Sequence, residues 1–508
     1  MKKIFKVYIL LAALTASSCS KEYLDTEPTN ATATSTVFST TKNAALAVNG
    51  LAKMMTQQYL ENQGFNGEGT IKMYYGNYPG NHFFINLPGW APIINNTYNE
   101  STASIYNYYP WYYYYKIIAN ANAIVARVDG AQGTEAEKQF IKAQALTFRA
   151  YSYMMLAQLY GNRWSDSNNG ASQGLVLRLD ESTGDMPVST LGQTYSQIYE
   201  DLNQAISLYT SSGLKRNNNF SPDISVAYAT YARAALNRQD YATAETNAVK
   251  ARTSYPLMNN AEYTSGFSSP TKEWIWSSYA APDESLYYYS YFAYIGYNSS
   301  ASAVRTFPKI ISKDLYTKIP ATDIRKSLFL NPEGYTYTVS SGLADGELAS
   351  KARKDYPALQ ADASVYAYMQ FKIKAQTLPG DGHLNHFRSA EMYLIEAEAK
   401  YFQNKPAAEI QGVLETLTKS SGRDPQYTCT KTGTALLDEI KTYRAIELWG
   451  EGFDWFDMKR WGDPIVRRST TNGGNFIAAL AVTTKPEDNN RWTWKIPLKE
   501  TDFNSGLK

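Results

Sequence analysis

The sequence predicts a scaffold of paired helices that carries long irregular insertions, and three observations indicate it. Apolar and small residues recur at helical spacing between residues 225 and 256, with one short break in the middle. The same arrangement returns between residues 389 and 419. Between the predicted helices lie long stretches without that periodicity, in which Gly and Pro act as loop formers.

The first helix pair, near 225–256, is broken by Gln239-Asp240-Tyr241 and ended by Pro256. The second pair, near 389–419, turns at Asn404-Lys405-Pro406. Small residues let paired helices approach closely, and this pattern resembles a tetratricopeptide repeat. The residues that mark the paired faces are Tyr228, Tyr231, Ala232, Ala235, Ala244, Ala248 and Ala251 in the first pair, and Tyr393, Ala397 and Ala399 in the second.

The predicted helices are unevenly spaced, because irregular segments separate them. No stretch has the composition of a linker between independent domains, so we expect one domain over residues 42–508. Regular helices supply rigidity and inserted loops commonly supply recognition, so a binding site is expected in the variable loops near 62–100 and 259–388. Further helices are predicted at 104–128, 135–159 and 195–210, and further irregular segments at 161–190 and 463–500.

The N-terminus carries a targeting signal. Three lysines within the first six residues precede an apolar run over residues 7–14, and small residues then lead to Cys19. This order is typical of a secretory signal peptide, here residues 1–18. The cysteine after small residues resembles a bacterial lipobox, although Ala16 stands where Leu is usual; the alternative is a plain signal peptide with an incidental cysteine. We therefore predict that Cys19 is lipidated, and that residues 19–41, rich in Thr, Ser, Asn and Ala, form a flexible tether.

Composition and charge exclude several classes of protein. The formal net charge is +2, and removal of residues 1–18 with their three lysines leaves about −1, so no basic face for nucleic acid is expected. The two cysteines, Cys19 and Cys429, cannot form a disulfide framework, and the three histidines show no zinc-ligand spacing. We predict no cofactor and no metal site. The sequence neither supports nor excludes a bound calcium ion.

The segment 444–463 combines acids, bases and aromatics, and it resembles a catalytic site at first sight. A glycoside hydrolase needs two carboxylates across a cleft, one of which is kept protonated. Here the acids recur at helical spacing beside bases, and Glu447 and Glu451 fall on one helix face with Arg444 one turn earlier. That pattern predicts ion pairs that hold a helix in place. Neither a serine-nucleophile elbow nor a phosphate-binding loop occurs, so we predict that the protein is not an enzyme.

Aromatic residues make up 14% of the chain, with 42 Tyr and 10 Trp, and two clusters lie outside the clear helices, at 74–98 and 274–297. An aromatic ring can cover the apolar face of a sugar, while Asn, Asp and Arg meet its hydroxyl groups. Trp90 stands between Pro88 and Pro92, which favours a loop and an exposed indole. The predicted carbohydrate-binding residues are Tyr78, Asn81, Trp90, Tyr288, Tyr291 and Tyr294.

Five segments, in this order along the chain, resemble the SusD/RagB family of Bacteroidetes. Each segment alone is a weak signal, but five in the family's order are specific, and they span nearly all of the chain after Cys19. The segments are EYLDTEP at 22–28, ALTFRAY leading to LYG at 145–161, RSAEMYLIEAEA at 388–399, RAIELWGEGFDWFDMKRWG at 444–462, and WKIP at 494–497 with Glu500.

This resemblance implies an all-α fold of tetratricopeptide-like helix pairs with an irregular, variable part. It implies a lipoprotein on the cell surface of the outer membrane, which binds oligosaccharide, or in some branches peptide. The bound nutrient would pass to a SusC/RagA-like TonB-dependent transporter, and the family has no catalytic residues. The Tyr-rich loops favour glycan. Two alternatives of other classes are a lipid-anchored glycoside hydrolase on a helical scaffold, which product release would reveal, and a scaffold protein that binds the transporter but no nutrient.

Overall fold

The computed structural model describes residues 34–61, 64–279 and 290–507. The predicted signal peptide, Cys19 and Tyr288 lie outside these ranges. Within them, the protein is mainly helical, and strands occur as short pairs. The helices of eight or more residues are α1 (Thr41–Met54), α2 (Ile105–Arg127), α3 (Glu135–Tyr160), α4 (Leu191–Ser212), α5 (Ile224–Asn237), α6 (Tyr241–Arg252), α7 (Gly346–Asp355), α8 (Ser389–Phe402), α9 (Ala407–Glu415), α10 (Gly433–Glu447) and α11 (Asp454–Trp461).

Most of these helices pack in chain order. Helix α2 packs against α3, α3 against α4, α4 against α5, and α5 against α6. Helix α6 then packs against α8, which in turn contacts α9 and α10. The predicted pairs near 225–256 and 389–419 are α5–α6 and α8–α9, so the all-α class with tetratricopeptide-like helix pairs is confirmed. Ala232, Ala235 and Ala244 are fully buried, as small residues between close helices should be.

The predicted helix at 195–210 begins four residues earlier, at Leu191. Thr190 and Gln193 form a capping box there, in which each side chain accepts the backbone N–H of the other residue. A Thr followed three residues later by Gln or Glu marks a helix start, and it does so here more accurately than apolar periodicity. Helix α3 begins with the same device at Thr134, where the prediction had placed its start.

Pairs of short antiparallel strands tie the irregular segments to the helices. Strands β4 and β6 join Trp274 to Arg388, at the start of α8. Strands β1 and β5 join Phe83 to Ile311. The strands of the described ranges are β1 (Phe83–Phe84), β2 (Gln173–Val176), β3 (Val188–Thr190), β4 (Trp274–Ser278), β5 (Ile310–Ile311), β6 (Leu384–Arg388), β7 (Ile465–Val466) and β8 (Thr483–Thr484), with β2 paired to β3 and β7 to β8.

The predicted tether, residues 19–41, extends too far at its C-terminal end. Thr34–Val37 is a short helix, and Thr41 is the first residue of α1. Thr40 caps α1 with its side chain, while Thr41 donates a hydrogen bond to Glu137 at 2.9 Å. Thr is favoured at helix caps, so the polar composition of this stretch is typical of a helix start as well as of a tether.

A search of the described ranges for membrane spans found no helix of sufficient length and apolarity to cross a bilayer.

A network of buried ion pairs joins the segment 444–463 to the rest of the protein. Arg388, at the junction of β6 and α8, lies at its centre and is 1% exposed. Its guanidinium donates to Glu273 and Glu447 at 2.7 Å, and to Glu451 at 2.8 Å. The cations that complete the network are Arg325 and Arg423 at Glu447, Arg423 at Glu273, and Lys372 at Glu451.

Two buried carboxylates of this network, Glu447 and Glu451, are ionised. Burial raises the pKa of the Glu447 carboxyl, but three guanidinium groups outweigh burial and hold the pKa below its usual range. The pKa of Glu451 is lowered in the same way, by Arg388 and Lys372 against burial. Both glutamates therefore make the structural ion pairs that their spacing predicts. Arg444, however, pairs with Asp457 at 2.6 Å and not with Glu447.

Replacing both Glu447 and Glu451 with Gln leaves buried cations without a counter-charge. We expect the free energy of unfolding at pH 7 to fall by at least about 3–5 kcal/mol, because a buried cation that loses its partner keeps its desolvation cost. Urea unfolding followed by circular dichroism measures this change. The folded fraction should bind ligand with unchanged affinity.

Glu409→Gln is the matched control, because Glu409 pairs with Lys400 near the surface at 3.2 Å and should change stability by less than about 1 kcal/mol. Carboxylates with a lowered pKa stabilise the fold above the unfolded-state pKa and lose that contribution as they become protonated. The difference between wild type and double variant should therefore shrink below about pH 4.3. A double variant as stable as the wild type at pH 7 would contradict the structural role.

Candidate functional site

The structure brings the two predicted aromatic clusters together. From the first, the Trp90 indole packs against Tyr74 at 5.3 Å between ring centroids and against Tyr78 at 5.7 Å. From the second, Tyr294 lies beside the same two rings: burial raises the pKa of Tyr74 and of Tyr78, and the neighbouring Tyr294 phenol raises both further. We call Tyr74, Tyr78, Trp90 and Tyr294 the aromatic cluster.

Part of the aromatic cluster reaches the surface. Trp90 and Tyr294 are half-buried, whereas Tyr74 is 7% exposed and Tyr78 is 1% exposed. The two buried rings support the two half-buried ones, so Trp90 and Tyr294 are the members that can meet a ligand. The Tyr74 and Tyr294 hydroxyls both approach Gly64, where an added Cβ would lie 3.0 Å and 3.5 Å from them. Any larger residue at this position would crowd both hydroxyls.

Two predicted contact residues, Tyr78 and Tyr291, are buried and cannot offer a ring face to a ligand. The prediction treated 62–100 as a loop, but residues 67–77 are helical and entirely buried, first as α-helix and then as π-helix. A helix that is enclosed on all sides shows no amphipathic period, so the sequence pattern did not indicate it. Tyr291 begins a short helix, and its hydroxyl donates to the Gly450 carbonyl at 2.6 Å.

Asn81 lies apart from the aromatic cluster. Its side-chain oxygen accepts the N–H of Val466 at 2.8 Å, and its amide donates to the Pro464 carbonyl at 3.4 Å, so it ties its loop to β7. Tyr288 falls outside the described residues. Of the six predicted residues, Trp90 and Tyr294 are thus the two that belong to the aromatic cluster and are half-buried.

Arg467 holds both ends of residues 79–94, which we call the Trp90 loop. Trp90 itself does not lie in irregular chain as predicted, because Pro88–Trp90 form a 3-10 helix that continues into the short α-helix Ala91–Ile94. The Arg467 guanidinium is 3% exposed, and it donates to the carbonyls of Pro79 at 2.8 Å and Gly80 at 2.9 Å, before Trp90. It also donates to the carbonyl of Ile94 at 2.6 Å, after Trp90. A planar guanidinium with five donors can clamp several carbonyls at once, which Lys cannot do in the same geometry. Sequence reasoning missed Arg467, because no local pattern connects it to a loop so distant in the chain.

A stacked pair of tyrosines extends the aromatic cluster. Tyr98 and Tyr106 are half-buried and lie 4.6 Å apart between centroids, with 17° between their ring planes. Tyr106 is also 6.3 Å from Tyr74, so the pair is continuous with the cluster. Tyr98 belongs to the first predicted stretch. Tyr106 was missed because it lies in the first turn of α2, where helical spacing alone indicates packing.

The aromatic cluster can stack and hydrogen-bond, and its two buried phenols, Tyr74 and Tyr78, do not ionise near neutral pH. Burial raises the pKa of Tyr74, Tyr78 and Tyr106, so each hydroxyl keeps its proton. Neutral rings with hydroxyl groups suit a ligand that has both an apolar face and hydroxyls, as a sugar does. Over the described part of the chain, no group of three or more His, Cys, Asp or Glu side chains could hold a metal ion.

Two family models match the chain. Residues 22–236 match a model described as starch-binding and associating with the outer membrane, and residues 232–508 match the SusD family. The second match alone covers more than half of the sequence. No curated protein shows significant sequence similarity to the chain.

Solved structures of similar proteins share the fold. A SusD-like carbohydrate-binding protein from Bacteroides vulgatus matches with a TM-score of 0.74 and 22% identity, over 92% of this chain and 98% of that chain. A SusD superfamily protein from Bacteroides thetaiotaomicron matches with a TM-score of 0.73 and 22% identity, over 92% and 99%. A SusD-like carbohydrate-binding protein from Bacteroides fragilis gives 0.67 and 14%, over 93% and 100%. With the two family models, these matches confirm the resemblance seen in the five sequence segments: the chain belongs to the SusD/RagB family.

Proposed function

We propose that this protein is a lipid-anchored glycan-binding protein of the cell surface. It captures an oligosaccharide at the aromatic cluster and delivers it to a SusC-like TonB-dependent transporter in the outer membrane. The observation that carries the proposal is that Trp90 and Tyr294, both half-buried, lie beside the buried rings of Tyr74 and Tyr78, in a chain whose family includes proteins described as carbohydrate-binding.

The mechanism is capture, retention and hand-over. Stacking on Trp90 and Tyr294 removes the apolar face of a sugar ring from water. The phenol hydroxyl and the indole N–H can then hydrogen-bond to hydroxyl groups at the edge of the sugar. Tethering beside a transporter raises the effective concentration of bound glycan at the pore, so retention does not need tight intrinsic binding. Weak intrinsic binding in turn allows release.

The alternatives fit the site less well. A peptide ligand would favour charged partners, but the four members of the aromatic cluster are uncharged. A glycoside hydrolase would use two free carboxylates across a cleft. Glu447 and Glu451 lie in the segment that resembles a catalytic site in sequence, but both are buried in ion pairs. Incubation with a panel of glycans should therefore give binding without the release of products.

Replacing Trp90 with Ala tests the proposed function. We expect oligosaccharide affinity to fall at least tenfold, about 1.4 kcal/mol, because the ring that covers the sugar face is lost. Isothermal titration calorimetry against a glycan panel measures the affinity. Trp164→Ala is the matched control, since Trp164 is also half-buried but packs against Tyr195, outside the aromatic cluster. Trp164→Ala should lower the free energy of unfolding by a similar amount and leave the oligosaccharide affinity unchanged.

One result would reject the site, and another would move the test from Trp90 to Tyr294. If Trp90→Ala binds as well as Trp164→Ala, the aromatic cluster is not the binding surface. If Trp90→Ala fails to fold while Trp164→Ala folds, the indole is a core residue, and Tyr294→Phe and Tyr294→Ala then decide whether the surface binds sugar.

Cys19 is expected to be the acylated N-terminus of the mature protein. Cys19→Ala should move the protein from the membrane fraction to the soluble fraction, because two or more acyl chains supply the membrane affinity. Cys429→Ala, which alters a buried thiol, is the control and should stay with the membrane. Mass spectrometry that finds Cys19 unmodified in the mature chain would contradict the prediction.

The mature protein is expected to associate with a TonB-dependent transporter. Affinity purification from outer membranes in mild detergent should recover a barrel protein in near-equal amount. The Cys19→Ala variant, mixed with the same membranes, separates direct contact from shared membrane attachment. Repeated recovery of the lipoprotein alone would count against the partnership.

A further inference from the structure

A cavity of about 490 Å³ is lined by no member of the aromatic cluster. Its wall is formed by residues 81–83, by Leu315 and Lys318, by α10, and by the stretch 448–464, which contains α11. We call it the α10–α11 cavity. Residues in its wall include Asn81, His82, Thr442, Arg444, Asp454 and Trp461. Its volume lies within the range of small-molecule sites, roughly 300–1,000 Å³.

Most charged groups in the wall of this cavity neutralise one another. Lys441 pairs with Asp463 at 2.7 Å, and Arg444 pairs with Asp457 at 2.6 Å. The wall therefore lacks the concentrated charge of one sign that a phosphate or a metal ion would need. Two exposed side chains of opposite charge complete the rim, Lys318 and Asp438.

Two polar groups in the wall retain hydrogen-bonding capacity. The Asp454 carboxylate accepts the backbone N–H of His82 at 2.7 Å, which uses one of its several acceptor positions. The His82 ring contacts the Ser312 hydroxyl through Nδ1 at 3.0 Å, which leaves Nε2 for another partner. Both residues are half-buried, so their free positions can meet a molecule in the cavity.

The protonation of these groups favours an uncharged ligand. Burial lowers the pKa of His82, so its ring is neutral at pH 7. Burial raises the pKa of Asp454, and a neutral hydroxyl can hydrogen-bond to either form of the carboxyl group. The remainder of the wall is largely apolar, with Leu448 and Trp449 each 3% exposed and Met458 6% exposed.

We propose that the α10–α11 cavity is a second carbohydrate site, which binds one neutral sugar ring. A pyranose has an apolar C–H face for the wall formed by Leu448 and its neighbours. Its hydroxyls both donate and accept, as the free positions of Asp454 and His82 require. The segment 444–463 would then bind ligand as well as support the fold. The inference extends the proposed carbohydrate binding, but it does not require the Trp90 surface to be correct.

Thr442→Phe tests the proposal, because Thr442 is half-buried in the cavity wall and a phenyl ring would fill the space. Thr434→Phe is the matched control, since Thr434 is exposed in the first turn of the same helix and does not line the cavity. Calorimetry of methyl glucoside, galactoside and mannoside should show saturable binding of at least one sugar by the wild type, Thr434→Phe and Trp90→Ala. Thr442→Phe should bind it at least tenfold more weakly.

The proposal is overturned if no methyl glycoside binds the wild type at roughly 10 mM, where even a millimolar Kd would be detected. It is also overturned if Thr442→Phe binds like Thr434→Phe, or if glucosamine binds while the neutral sugars do not. Should Thr442→Phe fail to fold, Ala445→Leu replaces it, because Ala445 also lines the cavity and is half-buried, so a larger side chain there occupies the space and should weaken binding. Trp90→Ala tests oligosaccharide binding at the aromatic cluster, and Thr442→Phe tests monosaccharide binding in the α10–α11 cavity. The two results are independent, so either proposal can fail while the other holds.

Discussion

Arg388 stands where β6 becomes α8, and there it holds three carboxylates in a space that excludes water. Glu273 precedes β4, Glu447 ends α10, and Glu451 lies in the turn that follows. Burying any one of these charges without a counter-charge would lower the stability of the folded protein, so the segments that carry them must assemble together. The network therefore fixes the end of α10 against α8 and against the strand pair β4–β6. The same network thereby fixes the irregular segments in position relative to the helix pairs.

The aromatic cluster is positioned through the turn after Glu447. Lys72 donates to the Glu451 carbonyl at 3.0 Å, and Asn77 donates to the Gly450 carbonyl at 2.9 Å, so the buried segment 67–77 docks on backbone that the ion network holds. That segment carries Tyr74, and Tyr78 follows it. Arg467 then clamps the segment that bears Trp90. The aromatic cluster is thus supported by buried segments whose positions depend on the ion network.

Helix pairs could be predicted because their small residues repeat at a local spacing, and the capping residues mark most boundaries. The ion-pair role of Glu447 and Glu451 also followed from local spacing, although their partners are far apart in sequence. The burial of Tyr78 could not be predicted, because Tyr78 follows a helix that is enclosed on all sides and has no amphipathic signal. Tyr291 lies in a helix of five residues, which is too short for residue spacing to indicate its buried face. The contribution of Arg467 to the Trp90 loop depends on tertiary contacts that no local pattern encodes.

The central claim is that Trp90 and Tyr294 form the surface that holds the glycan. A crystal structure of the protein with an oligosaccharide that binds it in solution tests this claim most directly. We expect a sugar ring within about 4.5 Å of the Trp90 indole, with its C–H face toward the ring. An oligosaccharide bound elsewhere, with Trp90 and Tyr294 both uncovered, would contradict the account.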